Sequence, residues 1–245
     1  FLSVLKEVAA KKPVVINKGG LSEAGSRAVA SHTASMGGSA RIWESAIRQS
    51  GAVQVGDLWE MAEACLAFSL LPHRVYRNIT VAGGGGALGV SACDTASEFG
   101  LTLPPLDPDI TEAILEVLPK PGSSAKNPID AANPFVGPDA YREIFLNAAK
   151  QPGIDIQFLI QLVYHYKSLS LALGVPKVKD VVPYRELAEE MEGAASRTGK
   201  PIVLVLPNIK QGAESLDIEE MNRDMRTVFL EKGIPVYDDI RKALR

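Results

Sequence analysis

The chain has 245 residues, 46% hydrophobic and 22% charged, which is enough apolar material for one large or two small domains. Its formal net charge of −3 comes without a basic run, so no broad nucleic-acid-binding face is expected, and no apolar stretch reaches the roughly 18 residues of a membrane span. Two cysteines, Cys65 and Cys93, lie in helical patterns without metal or disulfide spacing, and Phe1 opens into an amphipathic segment that is no signal peptide; a cytoplasmic protein without a metal site is expected.

In chain order, residues 3–11 read as a helix ending before Lys12-Pro13, and 13–16 as a buried strand stopped by Asn17-Lys18-Gly19-Gly20. A loop follows that carries His32 within "ASHTASMGGS". Residues 39–50 place apolar side chains at 42, 43, 46 and 47, a helical spacing closed by Gly51. Val53–Val55 is a second strand and 57–70 a helix capped by Asp57, which together make half of a doubly wound sheet.

A connector at 71–74 leads to a fresh start, so the expected domains are 1–72 and 73–245. Residues 78–82 form a strand, 83–86 a glycine turn and 87–99 a helix, followed by a short strand at 101–103 and a helix at 109–118. After a Pro/Gly/Asn loop come helices at 138–150, 184–198 and 215–231, interleaved with strands at 156–163, 202–206 and 234–237, then a terminal helix. Five strands alternating with helices imply an α/β fold, flavodoxin-like, with doubly wound parallel sheets, order 2-1-3-4-5 and right-handed crossovers.

In such sheets ligands bind beyond the carboxyl ends of the strands. That edge is expected to carry Lys18, Gly19 and Gly20, the glycine turn, Tyr164-His165 and Asn208. The His32 loop leaves the same edge among Ser, Ala and Gly, which let a loop bend and let its N–H groups approach a ligand closely. A loop histidine alone is as readily a solvated or capping residue; its place at this edge favours function. His165 is a weaker candidate and His73 reads as a linker residue.

Gly84-x-Gly86-x-x-Gly89, straight after a strand and opening a helix, has the form of the dinucleotide fingerprint, a weak motif alone. Three readings stand: a dinucleotide, a phosphate or phosphoryl group, or a tight structural turn. The dinucleotide wants an acidic residue ending the next strand, where Pro104-Pro105 stand and Asp107 lies beyond in a turn. A phosphoryl group needs only free N–H groups and a helix dipole. No Walker A motif is present, so ATP is not expected in a P-loop of this chain.

The block "KKPVVINKGGLSEAGSRAVASHTASMGGSARIWESAIRQSGAVQV" resembles the second subdomain of NDP-forming acyl-CoA synthetases, relatives of succinyl-CoA synthetase. "NITVAGGGGALGVSACDTASEFGLTLPPL" resembles the following subdomain, and "NPIDAANP" its NPxDxT stretch. The resemblance implies that His32 is the phosphohistidine and that the turn at 83–86 opens the helix whose N-terminus holds the phosphoryl group. It implies CoA, ATP or ADP with Mg, and phosphate as ligands, with a small carboxylic acid or acyl-CoA as substrate. CoA-binding and ATP-grasp modules are expected on missing parts of the chain or another subunit, as is the carboxylate that orients His32. The family's glycine after His-Thr is Ala34 here.

In the implied reaction an acyl phosphate phosphorylates His32, which then phosphorylates ADP. Gly84, Gly85, Gly86 and Ala87 would cradle the phosphoryl oxygens. Lys18 and Arg27 can add positive charge, and Thr33 and Ser35 can touch phosphate; the alternative for each is a solvated or capping loop residue. Asn127 and Asp130 have an open role, with turn formation as the plainer reading. Two other functions compete: a silent regulatory or assembly module of a synthetase-like protein acetyltransferase, and a nicotinamide-dependent oxidoreductase domain.

Overall fold

In the computed structural model, which describes residues 1–33 and 39–245 (His32 and Thr33 through their backbone alone), the chain divides into two units, Phe1–Ser69 and Leu70–Arg245. The first unit runs α1 (Leu2–Ala9), β1 (Val15–Asn17), α2 (Glu23–Thr33), α3 (Ala40–Ser50), β2 (Val53–Val55) and α4 (Leu58–Leu70). β1 and β2 pair in parallel, Val15 opposite Val53 and Asn17 opposite Val55. The Asn17 amide extends the ladder at its carboxyl end by donating to the Val55 carbonyl at 3.2 Å. Gly51, at φ +78°, takes the left-handed turn that ends α3. Asp57 accepts from the Glu60 N–H at 2.8 Å, while the Glu60 carboxylate accepts from the Gly56 N–H, so α4 starts on two side-chain acceptors.

This sheet is small, and among the described residues its buried apolar side chains are Leu5, Ile47 and Val55. No residue of α4 is buried. One expectation is corrected: His32 stands in the last turn of α2, where a loop was expected. Ala24, Ala28 and Ala30 with Arg27 favour helix, and the Ser22 hydroxyl caps its start by accepting from the Gly25 N–H at 3.0 Å.

The second unit runs β3 (Ile79–Gly83), α5 (Gly86–Glu98), α6 (Pro108–Val117), β4 (Ile129–Asp130), α7 (Pro138–Ala148), β5 (Ile156–Ile160), α8 (Tyr166–Leu173), α9 (Tyr184–Thr198), β6 (Ile202–Val205), α10 (Leu216–Glu231), β7 (Val236–Tyr237) and α11 (Ile240–Leu244). Its five strands are all parallel, in the order β4-β3-β5-β6-β7, which is the flavodoxin-like order the alternation predicts. Ala82, Leu159 and Leu204 join one core with Ile114, Phe145, Met191 and Phe229 from the helices on that face. Their strand neighbours Val81, Phe158 and Val203 are equally buried toward the face that carries α5 and α11. Burial on both faces is why these strands read as continuous apolar runs.

The edge strand beside β3 is not the expected one. Residues 101–103 contribute a single bridge, Thr102 to Asn78, at the amino end of β3. The carboxyl end pairs with β4, where Ala82 faces Ile129 and Gly83 faces Asp130. The Asn127 side chain fills the gap between these two pieces: its Oδ1 accepts from the Val81 N–H at 3.2 Å, and its Nδ2 donates to the carbonyls of Ile79 at 2.9 Å and Pro104 at 3.0 Å. Pro104-Pro105 ends the first piece because proline lacks the N–H a ladder requires. Expected strand 156–163 stops at Ile160, and the chain turns through a 3-10 segment into α8, a helix the apolar run concealed. Among the described residues no helix is long and apolar enough to cross a membrane.

Candidate functional site

β3 ends at Gly83 and α5 begins at Gly86, and Gly83, Gly85 and Gly86 are each favoured by the space or backbone conformation they occupy. A side chain on Gly83 would run into the carbonyl oxygen and Cβ of Ile160 on β5. Gly85 stands at φ +110°, a backbone conformation L residues rarely adopt. A Cβ on Gly86 would lie 2.9 Å from Asp130 Oδ2, and one on Gly89 would lie 3.1 Å from Pro128. The first amides of α5 have no intrahelical acceptor and point outward with the positive end of the helix dipole.

Asp130 closes the turn. Its Oδ1 accepts from the Gly85 N–H at 3.3 Å and from the Ala132 N–H at 2.9 Å. Ala132 itself adopts φ +49°, a left-handed conformation that disfavours L side chains. The carbonyl of Asn133 and Pro134 Cα pack against Gly84. Together the turn, Ser124, Pro128, Ile129, Asp130 and Ile160 line a cavity of about 190 Å³. That is below the range of about 300–1,000 Å³ in which whole ligands are held, and suits a group the size of a phosphoryl.

Asp130 also revises the argument over the dinucleotide. An acidic residue does end the strand next to β3, because that strand is β4 and not 101–103. The carboxylate is nevertheless bonded back to the turn, on the Gly85 amide that a pyrophosphate would use. It does not stand clear to meet a ribose, and the nicotinamide reading gains nothing from it.

The remaining sequence candidates lie elsewhere. Lys18 follows β1, with its ammonium 5.5 Å from the centre of the Trp43 ring and bonded to the Gly19 carbonyl. Arg27 pairs with Glu23 at 3.0 Å on the exposed side of α2. His32 and Thr33 end that helix, and Ser35 lies outside the described residues. These belong to the first unit, whereas Gly84, Gly85, Gly86, Ala87, Asn127 and Asp130 belong to the second. His165 ends the 3-10 segment after β5, its ring 4.5 Å from that of Tyr164.

A larger cavity, about 870 Å³, opens at the carboxyl end of β6, where Asn208, Lys210, Arg223 and Arg226 face Glu219 and Asp238. Asn208 donates to Glu219 at 2.9 Å, and Arg226 pairs with Asp238 and donates to the Val236 carbonyl at 2.8 Å. Arg223 likewise pairs with Glu219 at 3.6 Å, so both arginines there face a carboxylate of this chain. Of these residues only Asn208 was expected at this edge from the sequence. Among the described residues no group of His, Cys, Asp or Glu side chains is placed to hold a metal ion.

Residues 1–68 match the model of the succinyl-CoA ligase like flavodoxin domain. The whole chain is 30% identical to the acetate--CoA ligase [ADP-forming] I subunit alpha of Pyrococcus furiosus, of which it spans 47%, and 32% identical to the 4-hydroxybutyrate--CoA ligase [ADP-forming] of Nitrosopumilus maritimus, of which it spans 31%. Among solved structures, the dinucleotide forming acetyl-coenzyme A synthetase 1 of Ca. Korarchaeum cryptofilum, in complex with phosphate and ADP, matches all of this chain with TM-score 0.73 and 26% identity over 47% of its own length. The chain thus spans less than half the length of these relatives.

Proposed function

Since the chain belongs to the family of ADP-forming acyl-CoA synthetases related to succinyl-CoA synthetase, we propose that it supplies the phosphohistidine and the phosphoryl cradle of such an enzyme. The reaction interconverts acyl-CoA, ADP and phosphate with a carboxylic acid, CoA and ATP. Phosphate displaces CoA from the acyl group, giving an acyl phosphate and the free thiol. The neutral imidazole of His32 takes the phosphoryl group and releases the carboxylate; ADP then takes it from His32 and regenerates the imidazole. The chemistry asks the protein for positioning and charge stabilisation more than for covalent work.

The cavity at the glycine turn is the observation that carries the reading. Its lining of Gly84, Gly85 and Gly86, its helix N-terminus and its volume of about 190 Å³ support a group of phosphoryl size. CoA and ADP, with the Mg²⁺ that accompanies a nucleotide, are held by further modules of the enzyme, on the same polypeptide or on another subunit. The acid is a small carboxylic acid, and the relatives' own differences, acetate against 4-hydroxybutyrate, leave its chain length open. Thr33, Ser35 and Arg27 lie close to His32 in sequence and Lys18 follows β1 of the same unit; these polar and cationic groups assist its phosphorylation.

With those modules supplied, labelled ATP should give the protein an acid-labile, base-stable phosphoryl adduct. His32→Asn should abolish the adduct and acyl-CoA synthesis while leaving the circular dichroism unchanged. Labelling that persists in His32→Asn overturns the proposal.

A further inference from the structure

The carboxylate of Asp130 already stands at the N-terminus of α5, on the donor a phosphoryl group would use. Its two hydrogen bonds are unequal: 3.3 Å to the Gly85 N–H and 2.9 Å to the Ala132 N–H. Oδ2 presses toward Gly86, within 2.9 Å of where any side chain there would begin. One amide cannot serve two anions in good geometry. We infer that Asp130 is the resident anion of the phosphoryl cradle, occupying the Gly85 amide while the phosphoryl group is away and yielding it when the group arrives.

This rests on the reading of the glycine turn as a phosphoryl cradle. The longer bond is the one exchanged, and the shorter bond to Ala132 keeps the carboxylate close. That anchor is local, since the Asp130 carboxylate and the Ala132 N–H are only two residues apart in the chain. The exchange has a mechanistic use. A phosphoryl group that must move between two stations cannot be trapped at either of them, and at the exposed Gly85 amide the carboxylate is a charged competitor beside water. With Asp130 at hand, the Gly85 N–H has an acceptor before and after transfer, so departure costs less. The same negative charge weakens the docked state, because a carboxylate and a phosphoryl dianion repel at this range.

The test is titration of the chain with inorganic phosphate, read at the backbone amides of Gly85 and Gly86 by nuclear magnetic resonance. Asp130→Asn keeps an acceptor oxygen but removes the charge, and is expected to bind phosphate about tenfold more tightly than the parent chain. Asp130→Ala removes the competitor altogether and should also bind more tightly than the parent. Unchanged affinity in Asp130→Asn with weakened affinity in Asp130→Ala would mark a carboxylate that only shapes the turn, overturning the inference and leaving the cradle intact. Absence of phosphate-induced shifts at these amides in all three proteins overturns the cradle and the inference together.

Discussion

Asn127 completes the β3 ladder for Val81 with its side chain. Where the edge of the sheet changes from Thr102 to Ile129, the carboxamide stands in for a strand residue, accepting from the Val81 N–H and donating to the Ile79 carbonyl. Asn127→Ala leaves a donor and two carbonyls without these partners and should cost about 2–3 kcal/mol. Asn127→Asp should cost at least as much, because a carboxylate cannot donate to Ile79 and Pro104. Urea denaturation checks both: the midpoint should fall while the slope stays unchanged.

Gly83 and Gly86 should separate sharply under the same substitution. Ala at 83 meets backbone, the Ile160 carbonyl, and β5 cannot retreat without breaking its ladder. A loss above about 3 kcal/mol, or failure to fold, is expected. Ala at 86 meets only the far end of a short side chain, at a helical position where Ala is favoured. It should fold within about 1 kcal/mol of the parent chain while displacing Asp130 from the Gly85 amide. The Gly85 amide resonance and the urea midpoint read the two effects independently.

The α/β alternation of the second unit was legible because β3, β5 and β6 are continuous apolar runs separated by helices of 3.6-residue period. What escaped the sequence has definite physical causes. β4 is two residues long, too short to show a period, and lies within Asn127-Pro128-Ile129-Asp130, whose proline and asparagine read as loop. Without that strand, Asp130 could not be placed against the glycine turn. α2 escaped because Ser, Ala and Gly are compatible with both a mobile loop and a helix, and one hydroxyl cap decides between them. The glycine turn itself was legible, since strand, glycines and helix follow one another directly in the chain.

Ala132 carries a left-handed backbone that glycine adopts without cost. Ala132→Gly should therefore raise stability by about 0.5–1 kcal/mol, relief of the steric penalty outweighing the greater freedom of the unfolded chain. The same change loosens the backbone immediately after the 132 N–H, which bonds to Asp130. Stability measured in urea should rise while amide hydrogen exchange at 132 and Gly85 becomes faster. A fall in stability would mean that the methyl group of Ala132, packed near Gly122, matters more than its backbone strain.

Asp155 sits at the opposite, amino edge of the sheet and ties the start of the second unit to β5. Its Oδ2 accepts from the N–H groups of Arg77 at 2.8 Å and Asn78 at 2.9 Å, and Arg74 donates to its backbone carbonyl. Burial pushes its carboxyl up, but the two amides, Arg74 and Lys200 together hold it below the ordinary value. A folded-state value below the unfolded one means the folded chain binds fewer protons, so the stabilisation is present above about pH 4 and is lost as pH falls toward the folded value. Asp155→Asn should cost about 1–2 kcal/mol at pH 7. The gap between parent and variant should narrow as pH drops below about 4, where the unfolded parent takes up a proton that the folded one still refuses. Lys200 supplies a second reading. Burial already lowers its ammonium while Asp155 raises it, so the variant should lower it further, measurable by titrating its side-chain carbon resonance. A parent–variant gap that stays constant from pH 7 to pH 3 would show that Asp155 contributes through shape and not through charge.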